Sequence, residues 1–183
     1  MLLPIVTYGK TVLRKVAKDI DPSYPGLSEL IGDMFDTMHK ADGVGLAAPQ
    51  VDKSIRLFVI DASPLAEDTP EMADFKKIFI NARMLKEWGE EWWYSEGCLS
   101  VPGLREDVKR PSNITIEYLD ENWVKHTEDY DGEKARIIQH EYDHLQGIIF
   151  TDKLNPLKKQ LIRGRLTSIE KGKFSAAYKT KSV

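Results

Sequence analysis

The chain contains one cysteine, four histidines and no long apolar run. A single thiol, Cys98, excludes an intrachain disulfide. It fits a reducing compartment, where a lone cysteine serves as ligand, nucleophile or core filler. A membrane-spanning helix needs about 20 consecutive apolar residues, and no such stretch occurs. The opening Met1-Leu2-Leu3-Pro4-Ile5-Val6 is too short for a signal-peptide core, and polar Thr7 and Lys10 follow soon after. Internal repeats and low-complexity linkers are also missing. The expectation is a cytoplasmic protein, with the lack of a transit segment favouring a bacterial one. At 183 residues, with 42% hydrophobic and 30% charged residues, the chain reads as one domain over 1–183 with a sizeable core.

Net charge conceals an asymmetry. Residues 151–183 hold nine Lys/Arg against Asp152 and Glu170, a net +7, so a whole-chain charge of −3 leaves −10 on residues 1–150. A basic tail on an acidic body can contact nucleic acid; the plain alternative is a solvated helix with a loose end.

Leu27, Leu30, Ile31, Met34, Phe35 and Met38 recur every three or four residues and predict an amphipathic helix over 27–41. Ser28 is its candidate N-cap and Asp42-Gly43 its stop. His39 reads as a surface residue near the helix end. Strands are predicted over 55–60, 77–80 and 114–118, with a surface loop over 63–71. Within 84–94, Gly89-Glu90 reads as a turn, and Trp88, Trp92 and Trp93 read as core filler. A last helix begins near Pro156, with Leu157, Leu161, Ile162, Leu166 and Ile169 as its buried side. Gly164 weakens it by about 1 kcal/mol relative to alanine. The fold class expected is α+β: mixed or antiparallel sheets around a central metal-binding helix, with an N-terminal and a C-terminal helix.

That central helix carries Gln139-His140-Glu141-Tyr142-Asp143-His144. Four residues of α-helix return to nearly the same face, about 6 Å further along. His140 and His144 can therefore reach one metal ion, and Glu141 can handle a proton on water held there. Asp131 and Glu133 suit a helix N-terminus, and Gly147 suits its far end. His126 falls in a strand-like surface segment. The pattern by itself does not name the reaction.

Two more segments join it. Gly43-Val44-Gly45-Leu46-Ala47-Ala48-Pro49-Gln50 offers small residues for close backbone approach and an amide donor in Gln50. Glu96-Gly97-Cys98-Leu99-Ser100 offers the thiol. In order and spacing, the three segments resemble the motifs of the peptide deformylase family. The likeness covers nearly the whole chain, from Leu13-Arg14 through the basic C-terminal helix.

The resemblance implies removal of the formyl group from the N-terminal methionine of new polypeptides. It implies metal ligation by Cys98, His140 and His144, with Glu141 as general base and acid. Gln50 and the Leu99 N–H would hold the developing oxyanion. Gly45 would bond the substrate backbone, Val44 and Ile137 would line the methionine pocket, and Glu96, Arg105 and Arg110 would support the ligands from behind. One divalent metal is expected, Fe²⁺ in the cell, with Zn²⁺, Ni²⁺ or Co²⁺ accepted by the same donors. The partners implied are N-formylmethionyl nascent peptides and, through the basic residues 157–183, the ribosome near its exit tunnel; neither membrane nor DNA is expected. Three positions depart from the usual pattern: Val51-Asp52 replaces Ile-Gly, Glu106 replaces a glycine, and Asn81-Ala82 replaces Asn-Pro. Rival readings are a zinc endopeptidase and a non-catalytic ribosome-binding relative. The first needs a third ligand downstream of His144, where Glu170 is the only glutamate and histidine is absent.

Overall fold

The computed structural model describes residues 1–183. Its main sheet is antiparallel throughout, in the order β2 (Gly45–Ala47), β3 (Leu57–Asp61), β4 (Lys76–Cys98), β5 (Val101–Leu119) and β6 (Lys125–Asp131). β4 and β5 make one long hairpin. Cys98 pairs with Val101, leaving Leu99 and Ser100 as a two-residue turn. A separate two-stranded parallel ribbon joins β1 (Ile5–Val6) to β7 (Thr180–Lys181). The helices are α1 (Leu27–Lys40), α2 (Gly132–Leu145) and α3 (Pro156–Glu170).

Alternation along the strands builds the core. Phe58 stacks on Phe79 at 4.5 Å, and Phe79 meets Tyr118 at 4.4 Å. Onto this layer α2 lays Ala135, Ile138 and Leu145, all fully buried. Each large side chain so buried contributes about 1.5–3 kcal/mol. With one face of α2 committed to the sheet, its adjoining face, with Ile137, His140, Glu141 and His144, is left to meet the end of β4. Asp131 takes the N-cap position of α2 in extended conformation, without a side-chain capping bond, and Gly147 follows its end at φ +74°. A Cβ there would meet the Arg14 carbonyl oxygen at 2.6 Å.

Several local expectations need correction. Gly89 is no turn: β4 runs straight through it, and the left-handed φ of +85° marks a bulge between Trp88 and Glu91. Trp93 is 62% exposed, so it does not fill the core; it packs against Lys109 across the hairpin. α1 starts from Gly26 in the left-handed region rather than from a Ser28 cap, because the chain enters it through a Pro25-Gly26 bend. α3 buries Ile162 and Ile169, while Leu157 and Leu161 are 67% and 68% exposed. Only the narrower stripe meets the core around Val6, Leu13 and Phe150. The last residues are not loose either, since β7 is tied to β1.

Asp52, where a glycine is usual, and Asn81, the retained residue of the Asn-Ala pair, hold φ of +65° and +51°, the region that glycine and asparagine tolerate best. Asn81 bridges both backbone groups of Ile20, and Asp52 pairs with Lys181. Glu106 pairs with Lys158 of α3 at 3.2 Å.

Candidate metal centre and its cleft

Strand β4 ends at Cys98, and α2 presents His140 and His144 to it. One donor atom from each residue lies within 4.8 Å of the others. Cys98 Sγ is 3.3 Å from His144 Nε2. His140 is fixed from behind, its Nδ1 donating to Glu96 Oε1 at 2.9 Å. When the ring is neutral, that bond leaves Nε2 as its free nitrogen, the arrangement in which imidazole binds a metal. A thiolate and two imidazoles suit Fe²⁺, Co²⁺, Ni²⁺ or Zn²⁺. Three protein donors leave further coordination to water or substrate. The residues present therefore fit a divalent cation. His126 sits apart on β6, paired with Asp120 at 2.7 Å.

Glu96 anchors the support. It is 4% exposed and accepts from Arg110 Nε and Nη2 at 2.7 and 2.9 Å, from Arg136 Nη1 at 2.9 Å, and from His140. Burial alone would raise its pKa; the bonds from His140 and Arg110 outweigh this and hold it well below the usual carboxylate range. Arg110 also reaches Asp143 of α2 at 2.7 Å. Burial opposes charge on both histidines. For His140 it is overcome by Cys98, Glu96 and Glu141, and the pKa rises; for His144 it prevails, with help from His140 and Arg110, and the pKa falls.

Glu141 differs from Glu96 in having no such partners. It is 5% exposed, and its Oε2 is buried without a hydrogen bond. Burial first, then the charge of Glu96, pushes its pKa up to about 7, against the pull of His140. Gly45 lies directly over it: a Cβ at that position would sit 2.8 Å from Glu141 Cγ.

The Gln50 amide is oriented by its neighbours. Its Oε1 accepts from the Ala47 N–H at 2.9 Å, so its Nε2 must point the other way, 3.4 Å from Cys98 Sγ and 3.2 Å from Ser100 Oγ. β2 is an edge strand. The Asp61 N–H bonds the Val44 carbonyl at 2.9 Å, which turns the amide and carbonyl of Gly45 away from β3 and toward the open edge.

A cavity of about 470 Å³ opens over these groups. Val44, Gly45, Gln50, Leu99, Ile137, His140 and Glu141 all line it. So do residues that sequence reasoning missed, chiefly Leu65, Tyr94, Arg136 and Tyr178. Arg136 was readable, because it stands one turn before His140 on the same helical face. Ser100 and Tyr178 carry no comparable local signal. Arg105 is the outlier among the expected supports. It is exposed at the cavity wall and bonds Ser95 Oγ and the Ser95 carbonyl, where Arg110 and Arg136 bond Glu96.

An α+β fold enclosing a thiolate-and-imidazole donor set, with a buried carboxyl beside it, defines a hydrolase with a possible metal site. The polypeptide deformylase profile matches residues 2–160. A peptide deformylase from Christiangramia forsetii is 57% identical, over 98% of this chain and 95% of that one. One from Flavobacterium psychrophilum is 55% identical, over 100% and 98%. Among solved structures, a Legionella pneumophila peptide deformylase superposes with TM-score 0.80 at 37% identity, covering 93% and 96% of the two chains. One from Plasmodium falciparum gives 0.82 at 36%, covering 92% and 95%. The chain belongs to the polypeptide deformylase family.

Proposed function

We infer that this chain removes the formyl group from formyl-methionine at the start of nascent peptides, using Cys98, His140 and His144 to hold a divalent metal and Glu141 to move the proton. The observation that carries this reading is an unpartnered buried carboxyl beside three metal-type donors, at the base of an apolar-walled cleft. When bound, the cation acts as a Lewis acid and lowers the pKa of water from 15.7 toward about 7. Fe²⁺ is proposed as the cellular metal.

Glu141, with its pKa raised to about 7, takes the proton of the attacking water and returns it to the leaving amine. Gln50 and Leu99 line the cleft; the Gln50 amide and the Leu99 N–H stabilise the negative charge that develops on the formyl oxygen. Gly45 offers its free amide and carbonyl to the substrate backbone, which lengthens the sheet by a strand. Val44, Ile137, Leu65 and Tyr94 give the methionine side chain its walls. Glu96, bonded to His140, fixes the ring; Arg110 and Arg136 keep Glu96 charged. Arg105, at the cavity wall, is placed to meet the peptide beyond its first residue.

Residues 1–183 act as a single catalytic unit, with 157–183 its basic helix and tail. No helix is long and apolar enough to cross a membrane, and the Christiangramia forsetii and Flavobacterium psychrophilum relatives are bacterial; a bacterial cytoplasm is the proposed location. The exposed cations of α3 support contact with ribosomal RNA near the exit tunnel.

The deciding experiment is formate release from formyl-Met-Ala-Ser by anaerobically purified protein loaded with Fe²⁺ or Ni²⁺. Unformylated Met-Ala-Ser and an internal-bond peptide serve as controls. Formate should appear only from the formylated peptide, stop with a chelator, and fall by about 10²–10⁴ in Glu141→Ala. Cleavage of the internal bond without formate would move the protein to the endopeptidases. Near-full activity in metal-loaded Glu141→Ala would remove Glu141 from the mechanism.

A further inference from the structure

The C-terminal segment returns to the catalytic cleft. After α3 the chain reverses, and β7 pairs alongside β1: the Ile5 N–H bonds the Lys179 carbonyl at 2.9 Å and the Thr7 N–H bonds the Lys181 carbonyl at 3.2 Å. Lys181 Nζ is tied to Asp52 at 2.8 Å, just past Gln50. This strap carries Tyr178 into the wall of the cavity. Its hydroxyl donates to the Leu99 carbonyl oxygen at 2.7 Å.

Leu99 and Ser100 are the whole turn between β4 and β5. Every tie on that turn comes from elsewhere in the chain. The Tyr178 hydroxyl holds the Leu99 carbonyl, the Tyr8 N–H holds the Ser100 carbonyl at 2.8 Å, and Gln50 Nε2 donates to Ser100 Oγ at 3.2 Å. A two-residue turn has few dihedrals, so fixing the peptide plane after Leu99 restricts the plane before it, which carries the Leu99 N–H. We propose that Tyr178 is a positioning residue: through the Leu99 carbonyl it aims the Leu99 N–H at the oxyanion. The proposal rests on the deformylase reading above.

Burial raises the Tyr178 hydroxyl to about 12, with a smaller push from Cys98, so it remains a donor across the neutral range. The strap lies beyond residues 2–160, the stretch matched by the family profile. Tyr178 sits after the basic helix in sequence, yet it reaches the same cleft as Gln50 and Glu141.

Tyr178→Phe removes the hydroxyl and keeps the ring. Losing an oxyanion donor outright costs on the order of 10²–10³ in rate; a donor kept but badly aimed should cost about tenfold in kcat. KM for formyl-Met-Ala-Ser should stay unchanged, because the lost aim matters only in the transition state. Amide hydrogen exchange over residues 98–101 should become faster, with melting temperature and metal content unaltered. Tyr178→Leu, which also removes ring packing, should show the same kcat loss with a lower melting temperature. A kcat within about twofold of the parent, a rise in KM alone, or unchanged exchange over 98–101 would each overturn the proposal. If the parent protein itself released no formate, the deformylase reading would fall, while the exchange measurement would still test the tie.

Discussion

A side chain has no room at Gly45. Its Cβ would sit 2.8 Å from the Glu141 side chain, at the one buried carboxyl in the cleft that lacks partners. Gly45→Ala must therefore displace either β2 or Glu141. Since a shift of about 1 Å at a catalytic group can cost on the order of 10² in rate, kcat/KM for formyl-Met-Ala-Ser should drop by about that factor with little change in melting temperature. Full activity in Gly45→Ala would mean Glu141 is not held where the structure puts it. Two glutamates in one site thus have opposite fates: Glu96 is held charged by His140 and two arginines, while Glu141 is left near neutrality by burial. Residue type and spacing already pointed to His140, Glu141 and His144, because a helix converts spacing into a shared face. They pointed less well to Arg105, since a guanidinium's partner depends on where the long side chain turns once the strands are paired; here Arg105, across from Gly97, turns to Ser95, while Arg110, across from Trp92, reaches along the hairpin to Glu96.

At the scale of elements, α3 has two sides with different work. Ile162 and Ile169 hold it to the core, while Lys159 and Arg163, four residues apart, are exposed on a separate face. If this face meets ribosomal RNA, charge reversal at both positions should weaken ribosome co-sedimentation at least tenfold and flatten its salt dependence. Tripeptide deformylation should be unaffected. Binding that is indifferent to both reversals would exclude this face. Deleting residues 157–183 is a poorer test, because it also removes β7 and Tyr178. Helical periodicity located α1 to within a residue and the start of α3 at Pro156, while α2 was read from the spacing of its histidines. Periodicity misjudged Leu157 and Leu161, since the width of the buried stripe depends on how closely the helix approaches its neighbours. The length of β4 was hidden for a related reason: bulges at Asn81 and Gly89 break the alternation by which a strand is recognised.

At the scale of the molecule, the buried cluster around Glu96 links catalytic geometry to stability. An unfolded glutamate takes up a proton near pH 4.3, whereas folded Glu96 resists until the pH is much lower. Its stabilisation is therefore complete above about pH 4.3 and is lost as the pH falls through the depressed folded value. Thermal melts of chelator-treated protein should decline progressively as the pH falls below about 4.3. Glu96→Gln should be less stable by about 3–5 kcal/mol at pH 7, because it leaves Arg110 and Arg136 under-compensated, and its melting temperature should depend less on pH below 4.3. Parallel curves for the two proteins would show that acid sensitivity arises elsewhere.

The sequence by itself determined the family, because three short motifs carry it in residues whose chemistry does not depend on distant packing, and through that resemblance it implied the donor set and proton carrier proposed above. The tertiary structure alone decided how those groups are held. Glu96 meets Arg136 across 40 positions, Gln50 meets Ser100 across 50, and Tyr178 meets Leu99 across 79. Such contacts leave no periodic trace in the chain, because they are made only when separate strands and helices pack and each buried polar group must find its partner.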